Sequence, residues 1–138
     1  MQGLILLYSS TLTKVKILQS SALIIVAHGS RRDASNAEVM QLGEKVKALV
    51  EADYDVVKTA FLEFADPSLE ENIKACVNEG VKEIVILPYF LASGNHVTRD
   101  IPSIVEQMSG MHPEIKIELK EHVGSAEGMA LLLSSMAL

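Results

Sequence analysis

From Leu23 onward, short apolar runs alternate with stretches in which apolar residues return every third or fourth position, and Gly, Pro, Ser or Asp marks each change. Alternation of strand-like runs with helical periodicity predicts a parallel sheet with helices on its faces. Leu23 to Ala27 and Ile84 to Leu87 are apolar without a break, as strands covered on both faces are, and are expected at the centre. Ile115 to Lys120 alternates apolar with charged residues, and the run from Val56 to Leu62 is interrupted by Lys58 and Thr59. These two are expected at the edges.

Helices fill the intervals. Val39, Leu42, Val46, Leu49 and Val50 fall on one helical face, with Ser35 and Glu38 spaced as a capping box. Asp66 before Pro67 reads as the N-cap and first residue of a second helix, which buries Leu69, Ile73, Cys76 and Val77 and stops at Gly80. A third runs from about Asp100 to Gly110 with Pro102 in its first turn, and a fourth follows Gly124 and Ser125 and carries Met129 and Leu131 to Leu133. Right-handed crossovers and the burial ranking then give an α/β single domain, an open sheet of four parallel strands in the order 2-1-3-4 with helices on both faces. Ligands of such sheets bind beyond the C-terminal strand ends where the winding reverses, here between strands 1 and 3. The informative loops are therefore Ala27 to Asp33 and Pro88 to Arg99. Residues 1–22 stand outside the repeat as an N-terminal extension of unknown role, and residues 23–138 form the domain.

Composition narrows the chemistry. A chain of 138 residues, 49% apolar and 22% charged, fits one globular domain. Aromatic residues at 4%, no Trp and a net charge of −6 leave neither a stacking platform nor a basic surface, which argues against nucleic acid. The lone Cys76 forms no internal disulfide and holds no iron–sulfur cluster by itself, so it reads as packing in a reducing cytoplasm. No apolar run approaches the roughly 20 residues of a membrane span, and the first Lys is Lys14, so neither membrane association nor a secretory signal is expected. The Gly-rich motifs for ATP phosphates and for dinucleotides are both missing.

His28 leaves the end of strand 1, and His96 lies in the loop after strand 3. Neighbouring strands are about 5 Å apart, so the two imidazoles can converge in the crevice to bind a first-row divalent metal, accept protons, or do both. Glu63, just past strand 2, adds an anionic acceptor on the same edge. His112 precedes strand 4 on the opposite edge and reads as a surface residue, while His122 reads as peripheral. Arg31, Arg32 and Arg99 flank the crevice in an otherwise acidic chain, which points to an acidic ligand. Ala27 stands where a histidine phosphatase needs Arg, and neither Ser30 nor Ser93 sits in a nucleophile elbow.

Three segments in this order, Ala27-His28-Gly29-Ser30-Arg31, Phe61 to Ser68 and Leu87 to Pro102, resemble the short form of the CbiX and SirB family. The likeness covers about Leu23 to Leu133. These are sirohydrochlorin chelatases, which insert cobalt, iron or, in relatives, nickel into a tetrapyrrole without ATP. The resemblance implies His28 and His96 as metal-site residues, with Glu63 as the catalytic acid group beside them. It further implies a polycarboxylate tetrapyrrole held by Arg31, Arg32 and Arg99 with Ser30, Ser93, Gly94 and Asn95, against a wall that includes Tyr89, Phe90 and Leu91. A single domain of this type is expected to work as a homodimer, because longer relatives fuse two such domains. The competing expectations are a non-catalytic metal or tetrapyrrole carrier using the same His pair and, more remotely, an unrelated hydrolase.

Overall fold

The computed structural model describes residues 20–138. Four parallel strands, β1 (Ser21–Ala27), β2 (Val56–Phe61), β3 (Glu83–Pro88) and β4 (Lys116–Leu119), lie in the order β2-β1-β3-β4. Helix α1 (Asp33–Val50) joins β1 to β2, and α2 (Leu69–Asn78) joins β2 to β3. A π-helical turn (His96–Asp100) runs directly into α3 (Ile101–Met111), and after β4 a 3-10 turn (Val123–Ser125) leads to α4 (Gly128–Ala137). Strand order and edge assignment match the expectation from hydrophobic patterning. The N-terminal extension falls outside the described residues except at its end, where β1 starts at Ser21, two residues before Leu23.

Alternate β-strand side chains divide between two faces. Ala22, Ile24 and Val26 of β1, with Ile84 and Ile86 of β3, meet Leu69, Ile73 and Cys76 of α2 and Ile101 and Met108 of α3 in one fully buried aliphatic core. Cys76 is thus a packing residue, and burial pushes its thiol up to about 11. On the other face α1 packs close to β2, with Gly43 at the contact: a Cβ there would lie 2.2 Å from Thr59 Oγ1. Among the described residues this face is covered incompletely. Val85 and Leu87 of β3 are only half-buried, contrary to the expectation for an unbroken apolar strand, and Leu49 of α1 is 84% exposed. Among the described residues α1 packs mainly on β2, leaving a largely apolar groove of about 480 Å³ lined by Leu23, Val46, Val50, Tyr54, Val85 and Leu87.

Local capping differs from the sequence reading at two helices. The N-cap of α1 is Arg32, with no side-chain cap; Ser35 instead accepts a hydrogen bond from Arg32 Nη1 at 3.1 Å. The capping box lies at α2, where Ser68 Oγ accepts from Glu71 N and Glu71 Oε1 accepts from Ser68 N. Asp66 and Pro67 therefore belong to the loop before it, since Ser-x-x-Glu satisfies two helix-end donors where Asp66 would satisfy one. His112 is half-buried at the C-cap of α3 rather than on the surface, its backbone N–H donating to Met108 O.

Candidate metal centre

The parallel ladder continues past the formal strand ends and sets the site. Leu62 N donates to Ala27 O at 3.0 Å and Glu63 N to His28 O at 2.9 Å, so His28 and Glu63 are held side by side where β1 and β2 emerge. Tyr89 N donates to Val26 O at 2.7 Å, which anchors the departing β3 segment against β1 in the same way. The chain then enters the π turn that carries His96. His96 thus stands on a helical turn and not in an open loop, as its sequence position suggests. One wide turn before α3 holds it over the crevice with more backbone support than a loop would give.

His28 Nε2 lies 2.9 Å from Glu63 Oε2, and His96 Nε2 lies 3.9 Å from the same oxygen. The two imidazole centroids are 4.6 Å apart. The far nitrogens are engaged on acceptors: His28 Nδ1 with Gly29 O at 2.9 Å, and His96 Nδ1 with Asp100 Oδ2 at 2.8 Å. A carbonyl or carboxylate oxygen only accepts, so each Nδ1 carries a hydrogen and Nε2 is the nitrogen turned toward Glu63. Both Nε2 atoms then face one carboxylate oxygen. A divalent cation placed among these three atoms engages all of them.

His28, Glu63 and His96 form the His, Cys, Asp and Glu group able to hold a metal among the described residues, their donor atoms lying within 4.8 Å of one another. Bonds of roughly 2.1 Å to imidazole and carboxylate set three such donors about 3.5 Å from each other, so the present spacings of 2.9 Å and 3.9 Å to Glu63, within a group spanning up to 4.8 Å, come to that geometry by side-chain shifts of about 1 Å. The side chains remain 34 to 48% exposed, which leaves one face of the site open to a second, larger ligand.

The remaining predicted residues surround this centre unevenly. Arg31 is exposed and stacks its guanidinium 4.4 Å over the Phe64 ring, which itself lies 6.0 Å from the His28 ring. Arg32 is exposed and turned toward Ser35; Ser93, Gly94, Asn95 and Arg99 are exposed along the entry to and course of the π turn. Ser30 is engaged within its own loop, its N–H on Asn36 Oδ1, its carbonyl accepting from Asn36 Nδ2 and its Oγ accepting from Arg32 N. Phe90 packs on the core with its ring 6.2 Å from His96, whereas Tyr89 and Leu91 project outward. His122 is outside the cluster.

Three residues with parts in this arrangement escape the sequence reading. Asn36 braces the loop after β1, and no local pattern marks it. Phe64 adopts φ of +65°, which turns its ring out beneath Arg31. Asp100 stands four residues after His96, a spacing that is legible only once His96 is known to be helical.

Comparison with known proteins agrees with this architecture. The model of the CbiX family matches residues 22–137. A sirohydrochlorin cobaltochelatase of Methanococcus maripaludis is 43% identical over 84 residues, 61% of this chain and 57% of that one. The chloroplastic sirohydrochlorin ferrochelatase of Arabidopsis thaliana is 38% identical over 119 residues, 83% of this chain and 52% of that one. The crystal structure of the sirohydrochlorin chelatase SirB from Bacillus subtilis subspecies spizizenii in complex with cobalt superposes with a TM-score of 0.78 at 28% identity, covering 86% of this chain and 50% of that one. In these matches the chain spans little more than half the length of its relatives. With the fold, the strand order and a match over nearly all the described residues in agreement, the chain belongs to the CbiX family.

Proposed function

We propose that this chain inserts a divalent metal, Co²⁺ or Fe²⁺ and by its donor chemistry also Ni²⁺, into sirohydrochlorin without ATP, as a cytoplasmic enzyme of tetrapyrrole biosynthesis. The carrying observation is that two Nε2 atoms, of His28 just past β1 and of His96 on the π turn, lie 2.9 Å and 3.9 Å from one oxygen of Glu63. Imidazole and carboxylate suit all three ions, so ion availability selects among them.

Metal entry into the macrocycle breaks two pyrrolic N–H bonds, forms the metal–nitrogen bonds and releases two protons. Charge is exchanged evenly, two protons for one M²⁺, so the step needs no nucleotide to drive it. His28 and His96 hold the incoming ion through Nε2; as it passes to the macrocycle, the freed imidazole nitrogen and the Glu63 carboxylate take the protons and hand them to water. The rim carboxylates of the macrocycle are polyanionic, against a chain that is itself net −6. Binding therefore rests on local cations: Arg31 on its Phe64 platform, with Arg32 and Arg99, and on the exposed groups of Ser93, Gly94 and Asn95. Ser30 contributes by fixing the loop that carries Arg31 and Arg32.

Mixing the purified chain with sirohydrochlorin and Co²⁺ is expected to give the absorption spectrum of the metallated product faster than the uncatalysed reaction does. No acceleration overturns the proposal, and tight Co²⁺ or tetrapyrrole binding without acceleration identifies the carrier instead. No helix among the described residues is long and apolar enough to cross a membrane, and the buried free thiol of Cys76 is compatible with a reducing compartment.

The working unit in this proposal is a homodimer. Every residue of α4 but Met129 is exposed, and Leu131, Leu132, Leu133 and Met136 are apolar. A soluble monomer rarely shows so apolar a helix. The groove beside α1 is also apolar and open, and two copies exchanging α4 helices fill both grooves with one two-fold operation. Light scattering on the full chain is expected to give a dimer at micromolar concentration, and Leu132→Glu with Met136→Glu a folded monomer; a monomeric wild type overturns the exchange.

A further inference from the structure

We infer that Asp100 is a positioning residue of the metal site, holding the His96 imidazole by its Nδ1 so that Nε2 is the nitrogen aimed at Glu63. The inference rests on the proposal that His96 faces the metal, and names the device that makes it do so. His96 opens the π turn and Asp100 closes it, and the two side chains meet at 2.8 Å between Nδ1 and Oδ2. A flexible side chain reaching from a turn has two ring nitrogens to offer and two ring orientations to adopt. A carboxylate on Nδ1 selects one of each, because it accepts the Nδ1 hydrogen and leaves Nε2 as the nitrogen turned toward the metal site.

The two imidazoles of the site are not anchored alike. His28 donates to the neutral carbonyl of its own neighbour Gly29, within a backbone already fixed by the β1–β2 ladder. His96 is attached to no strand, and its anchor is a charged group. The stronger, charge-assisted bond is thus on the imidazole with the less constrained backbone, and it is the one that stands 3.9 Å rather than 2.9 Å from Glu63. A wide turn inserted at the head of α3 puts Asp100 beside His96 and continues into the helix through Ile101 N–H donating to His96 O. π turns of this kind are frequent at functional sites. The negative charge of Asp100 also stands at the head of a helix, where it favours α3. A purely structural role for Asp100 is therefore the alternative to be separated.

The test uses the full chain and Co²⁺ alone as probe, read by the visible absorption of the bound ion, with Asp100→Ala, Asp100→Asn, His96→Ala and the double variant. Loss of an outer partner of a metal-bound His weakens affinity by about 10–100-fold, and that is the loss expected for Asp100→Ala. Asp100→Asn keeps an acceptor oxygen without the charge and is expected to recover most of that affinity. In the His96→Ala background, Asp100→Ala is expected to change Co²⁺ affinity no further. Nitrogen chemical shifts of His96 in the metal-free protein supply a readout that a helix-stabilising role does not move: the Nδ1-protonated tautomer dominates in wild type and gives way to a mixture in Asp100→Ala. Co²⁺ affinity within twofold of wild type in Asp100→Ala, or the same loss with and without His96, overturns the inference while leaving the metal site intact. Wild-type protein that binds no Co²⁺ overturns the inference and the metal site together.

Discussion

His28→Ala is expected to lower Co²⁺ affinity by more than 100-fold while leaving the fold in place. The site has three protein donors, and His28 supplies the one already closest to Glu63, at 2.9 Å. Without it the ion keeps one imidazole, 3.9 Å from the carboxylate, and a carboxylate that is half exposed to competing water. Loss of an outer partner costs about 10–100-fold, so loss of a ligand itself must cost more. The scaffold, by contrast, scarcely notices. The His28 side chain is 43% exposed, and the bond that joins the two site segments runs from Glu63 N to the backbone carbonyl of His28, which Ala retains. A substitution outside the core that breaks no buried network changes stability by about 0.5 kcal/mol or less. Cobalt titration and urea unfolding of the same preparation check both halves. Affinity within a few-fold of wild type, at unchanged stability, would show that the imidazole does not face the ion.

That separation between site and scaffold also explains what could be read from the residues in advance. Strand order follows from burial, because a strand paired on both sides has no solvated edge; Leu23 to Ala27 declares this without ambiguity and β1 is indeed buried from Ala22 to its end. The convergence of His28, Glu63 and His96 follows from topology alone, since parallel strands deliver all their C-terminal ends to one edge. The unread features depend on which of two locally adequate solutions the backbone takes. Ser35 and Glu38 have capping-box spacing as good as that of Ser68 and Glu71, but α1 already begins at Asp33, which places Ser35 inside the helix. His96 to Asp100 has helical spacing, but the preceding Ser93, Gly94 and Asn95 read equally well as loop, and so the contact with Asp100 is hidden. Ile84 to Leu87 is apolar on both faces, yet only Ile84 and Ile86 are fully buried, while Val85 and Leu87 line the groove. An unbroken apolar run does not reveal that one of its faces is covered less fully, because helix α1 packs mainly on β2.

Gly29→Ala is expected to be the most damaging single substitution in the site, and by a different route. Gly29 has φ of +93°, a conformation that an L side chain rarely adopts. A Cβ there would stand 1.7 Å from the carbonyl oxygen of Glu63 and 2.9 Å from its carbon. That overlap is with backbone, which no rotamer change relieves. Either the turn after β1 abandons its conformation, or the Glu63 backbone retreats far enough to break the Glu63 N to His28 O bond. Both outcomes separate His28 from Glu63, since one backbone contact sets the distance between the two side chains. The combined strain and lost ladder bonding are expected to cost roughly 3 kcal/mol, near the upper end for single substitutions, together with Co²⁺ binding in whatever fraction stays folded. Gly110→Ala is the matched control, because a Cβ added there meets nothing within 4 Å and the backbone is helical. There the same added methyl is expected to raise helix stability by at most about 1 kcal/mol and to leave Co²⁺ affinity unchanged. If Gly29→Ala unfolds at the wild-type urea midpoint and binds Co²⁺ normally, then the close approach of the β1 turn to Glu63 is not what holds the donors together, and the two segments must be fixed through their side chains instead.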